Sequence, residues 1–244
     1  MRYHYIFTLI FLLLNVALLK AQSTYVIVHG AWGGAWQFKK AAELLQLDGH
    51  IVYRPTMTGL GERHHLYNHS VNLTTHITDV VNTILFENLH DVILVGHSYG
   101  GMVVTGVADS IPDRIKKIIY LDAIVPEENQ SAAQAIGRNE FQAGNDGRFA
   151  PVWVKDTTVT PRDVPHPGAT FLQPLKYSAE KLARFPITYI FTYQKEDGGM
   201  EKDDFYRFYL KAKHKKWKVV ALEASHNPQI DKLKELVAIF LEEK

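Results

Sequence analysis

Five residues, Gly96-His97-Ser98-Tyr99-Gly100, carry the densest chemical signal in the sequence. A serine hydroxyl is a weak nucleophile until a neighbouring base takes its proton. Here the serine stands between two glycines, after the apolar run 91–95 and before residues 101–108, which read as helix. That is the G-x-S-x-G pattern of a nucleophile elbow, a sharp turn from strand into helix. Such a turn strains the backbone at Ser98, and side chains two residues before and after it would collide. The hydroxyl is lifted above the end of a sheet, beside a helix N-terminus that favours negative charge. The pentapeptide alone is a weak motif, since a glycine turn needs no catalytic role. The flanking strand and helix strengthen it, and the remaining catalytic parts must then appear in order.

Those parts are a base, an acid that orients it, and donors for an oxyanion. After such an elbow the expected chain order is serine, acid, histidine. His226 follows the last apolar run, 217–222, and precedes the final helix, so it is the candidate base. Two strand ends offer a carboxylate. Asp122 ends the buried-type run Ile118-Ile119-Tyr120-Leu121, whereas Glu196 and Asp197 follow the run 187–192. The later strand is the usual source of the acid, but Gln194 and Lys195 stand about where it is expected. A carboxylate ending a buried strand needs a partner, and an imidazolium is a good one. Asp122 is therefore the preferred acid and Asp197 the alternative. The loop His29-Gly30-Ala31-Trp32-Gly33-Gly34-Ala35-Trp36 should supply an oxyanion donor, because its small residues let the backbone approach a substrate. The amides of Ala31 and Tyr99 are the expected pair, with Trp32 as the fallback for Ala31. His29 reads as a structural anchor of the loop.

The elements that must position these residues follow from the apolar pattern. Residues 24–29, 51–54, 91–95, 117–122, 187–192 and 217–222 are short runs of strand type. Residues 35–47 carry Phe38, Ala41, Ala42 and Leu45 at helical spacing. Residues 73–89 do the same with Ile77, Val80, Val81, Ile84 and Leu85. The final helix is expected to start with Asn227 as its cap and Pro228 in its first turn. Its core stripe would be Ile230, Leu233, Val237, Phe240 and Leu241. This alternation predicts the α/β class, a mostly parallel doubly wound sheet with active residues at the carboxyl ends of strands. Residues from about 125 to 185 break the rhythm with prolines and aromatics, and are expected to form a cap over the site.

Composition narrows the function. With 244 residues, 46% of them hydrophobic, the chain suits one domain with a large core, placed at 22–244. A formal net charge of +1 points to no nucleic-acid or strongly acidic partner. The absence of cysteine excludes disulfides and thiolate catalysis. Arg2 and His4 before the apolar stretch 6–19, with the small Ala21 after it, read as a signal peptide over 1–21. A secreted or periplasmic protein is expected, free of the membrane after cleavage, because no second stretch could span one. His64, His65, His69 and His76 match no common metal-ligand spacing, so no metal or other cofactor is expected. The basic run at Lys211, Lys213, Lys215, Lys216 and Lys218 is explained by helix-end charge and solubility.

Assembled, these residues resemble the α/β-hydrolase superfamily, and more narrowly its branch of plant methylesterases, hydroxynitrile lyases and bacterial esterase relatives. The matching pieces are 28–36, Gly59-Leu60-Gly61-Glu62-Arg63, 96–101 and Tyr120-Leu121-Asp122-Ala123-Ile124-Val125-Pro126. The resemblance implies an α/β-hydrolase fold, Ser98 as nucleophile, His226 as base, and a small-molecule ester as substrate. It also favours Asp122, because bacterial relatives often carry the acid in this Tyr-Leu-Asp-Ala segment. Lyases of the branch typically have threonine where this chain has Gly30 and lysine where it has Asn227. Hydrolysis is accordingly expected over lyase chemistry or a non-enzymatic receptor role.

Overall fold

The computed structural model describes residues 22–138 and 143–244; the expected signal peptide lies outside the described residues. Eight strands run β1 Thr24–Val28, β2 Ile51–Tyr53, β3 Val92–His97, β4 Ile115–Leu121, β5 Arg148–Phe149, β6 His166–Pro167, β7 Ile187–Tyr193 and β8 Lys218–Glu223. The helices are α1 Lys39–Leu47, α2 Leu73–Phe86, α3 Gly100–Ser110, α4 Ala132–Ala135, α5 Ala169–Leu172, α6 Ala179–Leu182, α7 Tyr206–His214, α8 Pro228–Asp231 and α9 Leu233–Glu242. Six strands form one sheet in the order β2-β1-β3-β4-β7-β8, parallel throughout. This is the α/β-hydrolase fold that the sequence implies.

Strand alternation sorts the core into two layers. Tyr25, Ile27, Ile93, Val95, Ile119 and Leu121 face α1 and α9, where Phe38, Leu45, Leu236 and Phe240 cover them. Val26, Val28, Leu94, Ile118 and Tyr120 face the opposite way, onto Val80 and Ile84 of α2 and Val103 and Val107 of α3. Both faces of the central strands are dry, which is why those strands read as continuous apolar runs.

Two details of the helices differ from the sequence reading. The final helix is broken: Lys232 leaves the helical region at φ −131°, ψ 41°, separating α8 from α9. The break turns the apolar stripe, so Ile230 is 66% exposed and Leu236 takes a core place. Asn227 makes no side-chain cap; its Oδ1 instead accepts from Gln229 Nε2 at 3.0 Å. In α2 the buried face holds Leu73, His76, Val80 and Ile84, which leaves Leu85 half exposed.

Between β4 and β7 the chain forms the cap from short pieces, α4, β5, β6, α5 and α6, with β5 and β6 paired antiparallel. Its start is pinned by Lys211 of α7, whose Nζ donates to the Val125 carbonyl at 2.7 Å and pairs with Glu127 at 2.7 Å. That lysine thus has a specific anchoring role beyond helix-end charge.

The elbow is tight for identifiable reasons. A Cβ on Gly96 would stand 2.6 Å from Val104 Cγ2, and one on Gly100 would stand 2.7 Å from the Val28 carbonyl. A Cβ on Gly101 would meet the Ile124 carbonyl oxygen at 2.2 Å, where the cap departs. Backbone atoms cannot rotate away, so Gly101→Ala should destabilise the fold by about 1–3 kcal/mol. A thermal melt should show a drop of several degrees; an unchanged melt would contradict this packing.

Candidate active site

The carboxyl ends of β3 and β4 and the loop after β8 converge on one point. Ser98 follows β3 with φ 54°, in the left-handed region the elbow demands. Its hydroxyl donates to His226 Nε2 at 2.9 Å. On the far side of the ring, Nδ1–H donates to Asp122 Oδ2 at 2.6 Å. The other carboxylate oxygen of Asp122 accepts the Thr192 amide at 3.1 Å. Asp122 is fully buried and also sits at positive φ, 42°. The ring therefore carries its proton on the Asp122 side and presents a bare nitrogen to the serine, the tautomer a general base requires. Asp197 and Glu196 are exposed in the turn after β7. Asp197 donates its amide to the Gln194 carbonyl at 3.3 Å and makes no hydrogen bond to His226.

The loop after β1 closes over Ser98. Among the described residues, the amides of Ala31 and Tyr99 donate to no acceptor, while the Trp32 amide donates to His166 Nδ1 at 3.1 Å. The Trp32 amide is thereby engaged elsewhere, while Ala31 and Tyr99 line the cavity beside Ser98. His166 is tied in turn. The Thr170 hydroxyl donates its single proton to the Pro167 carbonyl at 2.7 Å. It must then accept from His166 Nε2–H, also at 2.7 Å, which leaves Nδ1 as the acceptor for Trp32. Beside Ser98 lies a cavity of about 210 Å³, walled by Ile124, Ile136, Phe171 and Phe205, with Arg138 and Arg207 also lining it.

Comparison with known proteins fits this geometry. The model of the alpha/beta hydrolase family matches residues 25–239. The chain belongs to the alpha/beta hydrolase family. It is 38% identical over 239 residues to a carbendazim hydrolyzing esterase of Nocardioides sp. (strain SG-4G), covering 88% of this chain and 96% of that protein. It is 29% identical to methylesterase 2 of Arabidopsis thaliana, over 46% of this chain and 43% of the plant protein. Among solved structures, an extracellular alpha/beta-hydrolase from a Paenibacillus species superposes with a TM-score of 0.69 at 22% identity, covering 90% of this chain and 98% of that one.

Two residues of this hydrolase's site, His97 and Phe205, carried no signal of their own in the sequence. His97 Nε2–H donates to the backbone carbonyl of His226 at 2.8 Å, and the two rings lie 4.9 Å apart. Phe205 stacks on His226, with centroids 4.7 Å apart at 30°. The ring is thus packed by residues 129 and 21 positions away. His29 anchors its loop, donating from Nδ1 to Gly30 O at 2.8 Å and accepting the Met57 amide on Nε2 at 3.2 Å. His76 donates to Thr58 O at 2.9 Å and accepts the Tyr99 hydroxyl at 3.1 Å. Among the described residues, no group of three or more His, Asp or Glu side chains could hold a metal ion.

Burial keeps these imidazoles neutral. It pushes His29 and His76 down to about 4 and His97 to about 3, from the ordinary 6.5. Their folded values lie below the unfolded one, so the unfolded chain binds more protons between them. The stability they support is whole above about pH 6.5 and is lost as the pH falls toward 4 and then 3. Melting temperatures measured across that range should fall steadily with acid. A flat profile would mean that the buried rings titrate normally.

Proposed function

We propose that Ser98 cleaves carboxylic esters through an acyl-enzyme. The protein is an esterase of the alpha/beta hydrolase family, and the observation that carries the serine mechanism is the chain Ser98–His226–Asp122 at 2.9 and 2.6 Å. In this reading Ser98 Oγ attacks the ester carbonyl while His226 Nε2 takes its proton. The carbonyl oxygen becomes an oxyanion held by the amides of Ala31 and Tyr99. His226 then gives its proton to the departing alkoxide, and the acyl group remains on Ser98. A water molecule, deprotonated by His226, repeats the attack and releases the acid. Asp122 keeps the ring in the productive tautomer and balances its charge in between. Nothing in this sequence of steps calls for a metal or an organic cofactor.

Cyanohydrin cleavage is less well supported, because the position of the lyase lysine is taken by Asn227, whose carbonyl oxygen is bound to Gln229. Methyl esters come first as substrates because similar proteins bear the name methylesterase. Export by a leader over residues 1–21 is part of the same proposal.

Ser98→Ala should lower turnover of an activated ester by about 10⁴-fold or more and abolish labelling by a fluorophosphonate. Normal labelling of that variant would remove Ser98 from the mechanism. Asp122→Asn should lower kcat by about 10⁴-fold, through loss of the correct tautomer. Asp197→Asn should stay within about twofold of the parent, as surface changes away from such features usually do. The reverse order of effects would transfer the acid's role to Asp197.

A further inference from the structure

A second chamber, about 320 Å³, opens on Ser98 and His226 from the Gly30 side. Its walls include Trp32, Trp153, Gln37 and Asp163. Trp32 also borders the apolar cavity described above, so this side chain stands between the two. The mechanism makes no use of Asp163. We propose that this chamber binds an organic cation, the charged arm of an ester substrate, with the Asp163 carboxylate as its anchor. The proposal rests on the esterase reading and narrows it to a substrate class.

The first argument is charge. Asp163 is half-buried, and its hydrogen bonds come from neutral donors, Gln37 Nε2 at 3.3 Å and Trp153 Nε1 at 2.9 Å. Among the described residues, no lysine, arginine or histidine pairs with it, and burial raises its carboxyl above the ordinary value. No lysine or arginine lines the chamber, and His97 there is neutral. A partly desolvated carboxylate without a counter-charge is costly unless a ligand brings one.

The second argument is shape and surface. Trp32 and Trp153 meet edge to face, with centroids 5.0 Å apart at 81°. Indole faces attract cations through the ring quadrupole, and most strongly among the aromatic side chains. Trp32 is held rigid at φ 62°, with its amide on His166 and its Nε1–H on the Phe149 carbonyl at 2.9 Å. Two indoles and one carboxylate are the components that hold a quaternary or protonated amine. The cavity across Trp32 carries Arg138 and Arg207 against one carboxylate, Asp204, so its charged lining is net positive. A cationic arm is therefore directed to the Asp163 side, and the uncharged arm of the same ester falls into the other cavity.

The test compares acetylcholine with its uncharged carbon isostere, dimethylbutyl acetate, at neutral pH and low salt. The parent enzyme should prefer the cation by about 10-fold in kcat/KM, the scale of a carboxylate–cation pair near a protein surface. Asp163→Asn should bring that ratio close to one, and Asp163→Glu should retain most of it. Equal rates in the parent, or an unchanged ratio in Asp163→Asn, would overturn the proposal and reduce Asp163 to a structural pin for Trp153. Calorimetric titration of Ser98→Ala with choline separates the two readings. Binding that is lost in Ser98→Ala/Asp163→Asn supports the site even if no ester is turned over, an outcome that would sink the esterase reading alone. Turnover of the neutral ester without choline binding defeats the cation site and leaves the esterase reading standing.

Discussion

The buried carboxylate of Asp122 is the constraint around which the site is built. It is withdrawn completely from water, and its hydrogen bonds come from the Thr192 amide and the His226 ring. Breaking such an arrangement leaves an uncompensated buried charge, which typically costs about 3–5 kcal/mol. The chain between Asp122 and His226, 104 positions apart, must therefore fold so that the loop after β8 returns across the sheet. The strand order makes this reachable. β4 lies directly beside β3, so Asp122 and Ser98 leave adjacent strand ends, and β7 between β4 and β8 supplies the Thr192 amide. His97 then clamps the returning loop by its backbone, which fixes where the ring can stand.

Backbone strain gathers at the same place. Trp32, Ser98 and Asp122 all have positive φ, a state that costs a residue with a side chain about 1–3 kcal/mol. Each is held there by named bonds. The Ser98 amide donates to Leu121 O at 3.2 Å, and its carbonyl accepts the Ile124 amide at 3.0 Å; the Asp122 amide donates to Ile190 O at 2.7 Å. These bonds stitch β3, β4 and β7 together at their carboxyl ends. Trp32 is held instead by the cap, through His166 and Phe149. The cap thus fixes the conformation of the loop after β1, through the Trp32 amide and indole.

How much of this was legible in the sequence depended on distance along the chain. Ser98 was visible because its strand, its glycines and its helix are contiguous. His226 was visible because strand order and the elbow together predict a base after the last strand. The acid stayed open between Asp122 and Asp197, since the choice turns on where two strand ends lie in space. The pairing of Trp32 with His166 was hidden for the same reason: the two are 134 residues apart, and no local pattern links them. The misplaced Ile230 and Leu85 have a different origin. Periodicity finds the face of a helix but not a break such as that at Lys232, nor which of two neighbours at a stripe's edge reaches the core.

Burial holds four histidines around the site neutral: His29, His76, His97 and His166. A cation at His97, with its ring 4.9 Å from that of His226, would oppose the imidazolium that the proposed mechanism places on His226. Burial removes that possibility, and the same burial demands that the Nε2–H of His97 find an acceptor, which the His226 carbonyl provides. The neutral ring can therefore lie against the base, positioning it without contributing a charge. His29, His76 and His166 follow the same logic in the loop, at Tyr99 and in the cap, each with one nitrogen donating and the other accepting. Low polarity around the serine thus turns four imidazoles into fixed hydrogen-bonding joints. In the proposed mechanism the proton passes through His226, the ring in contact with both Ser98 and Asp122.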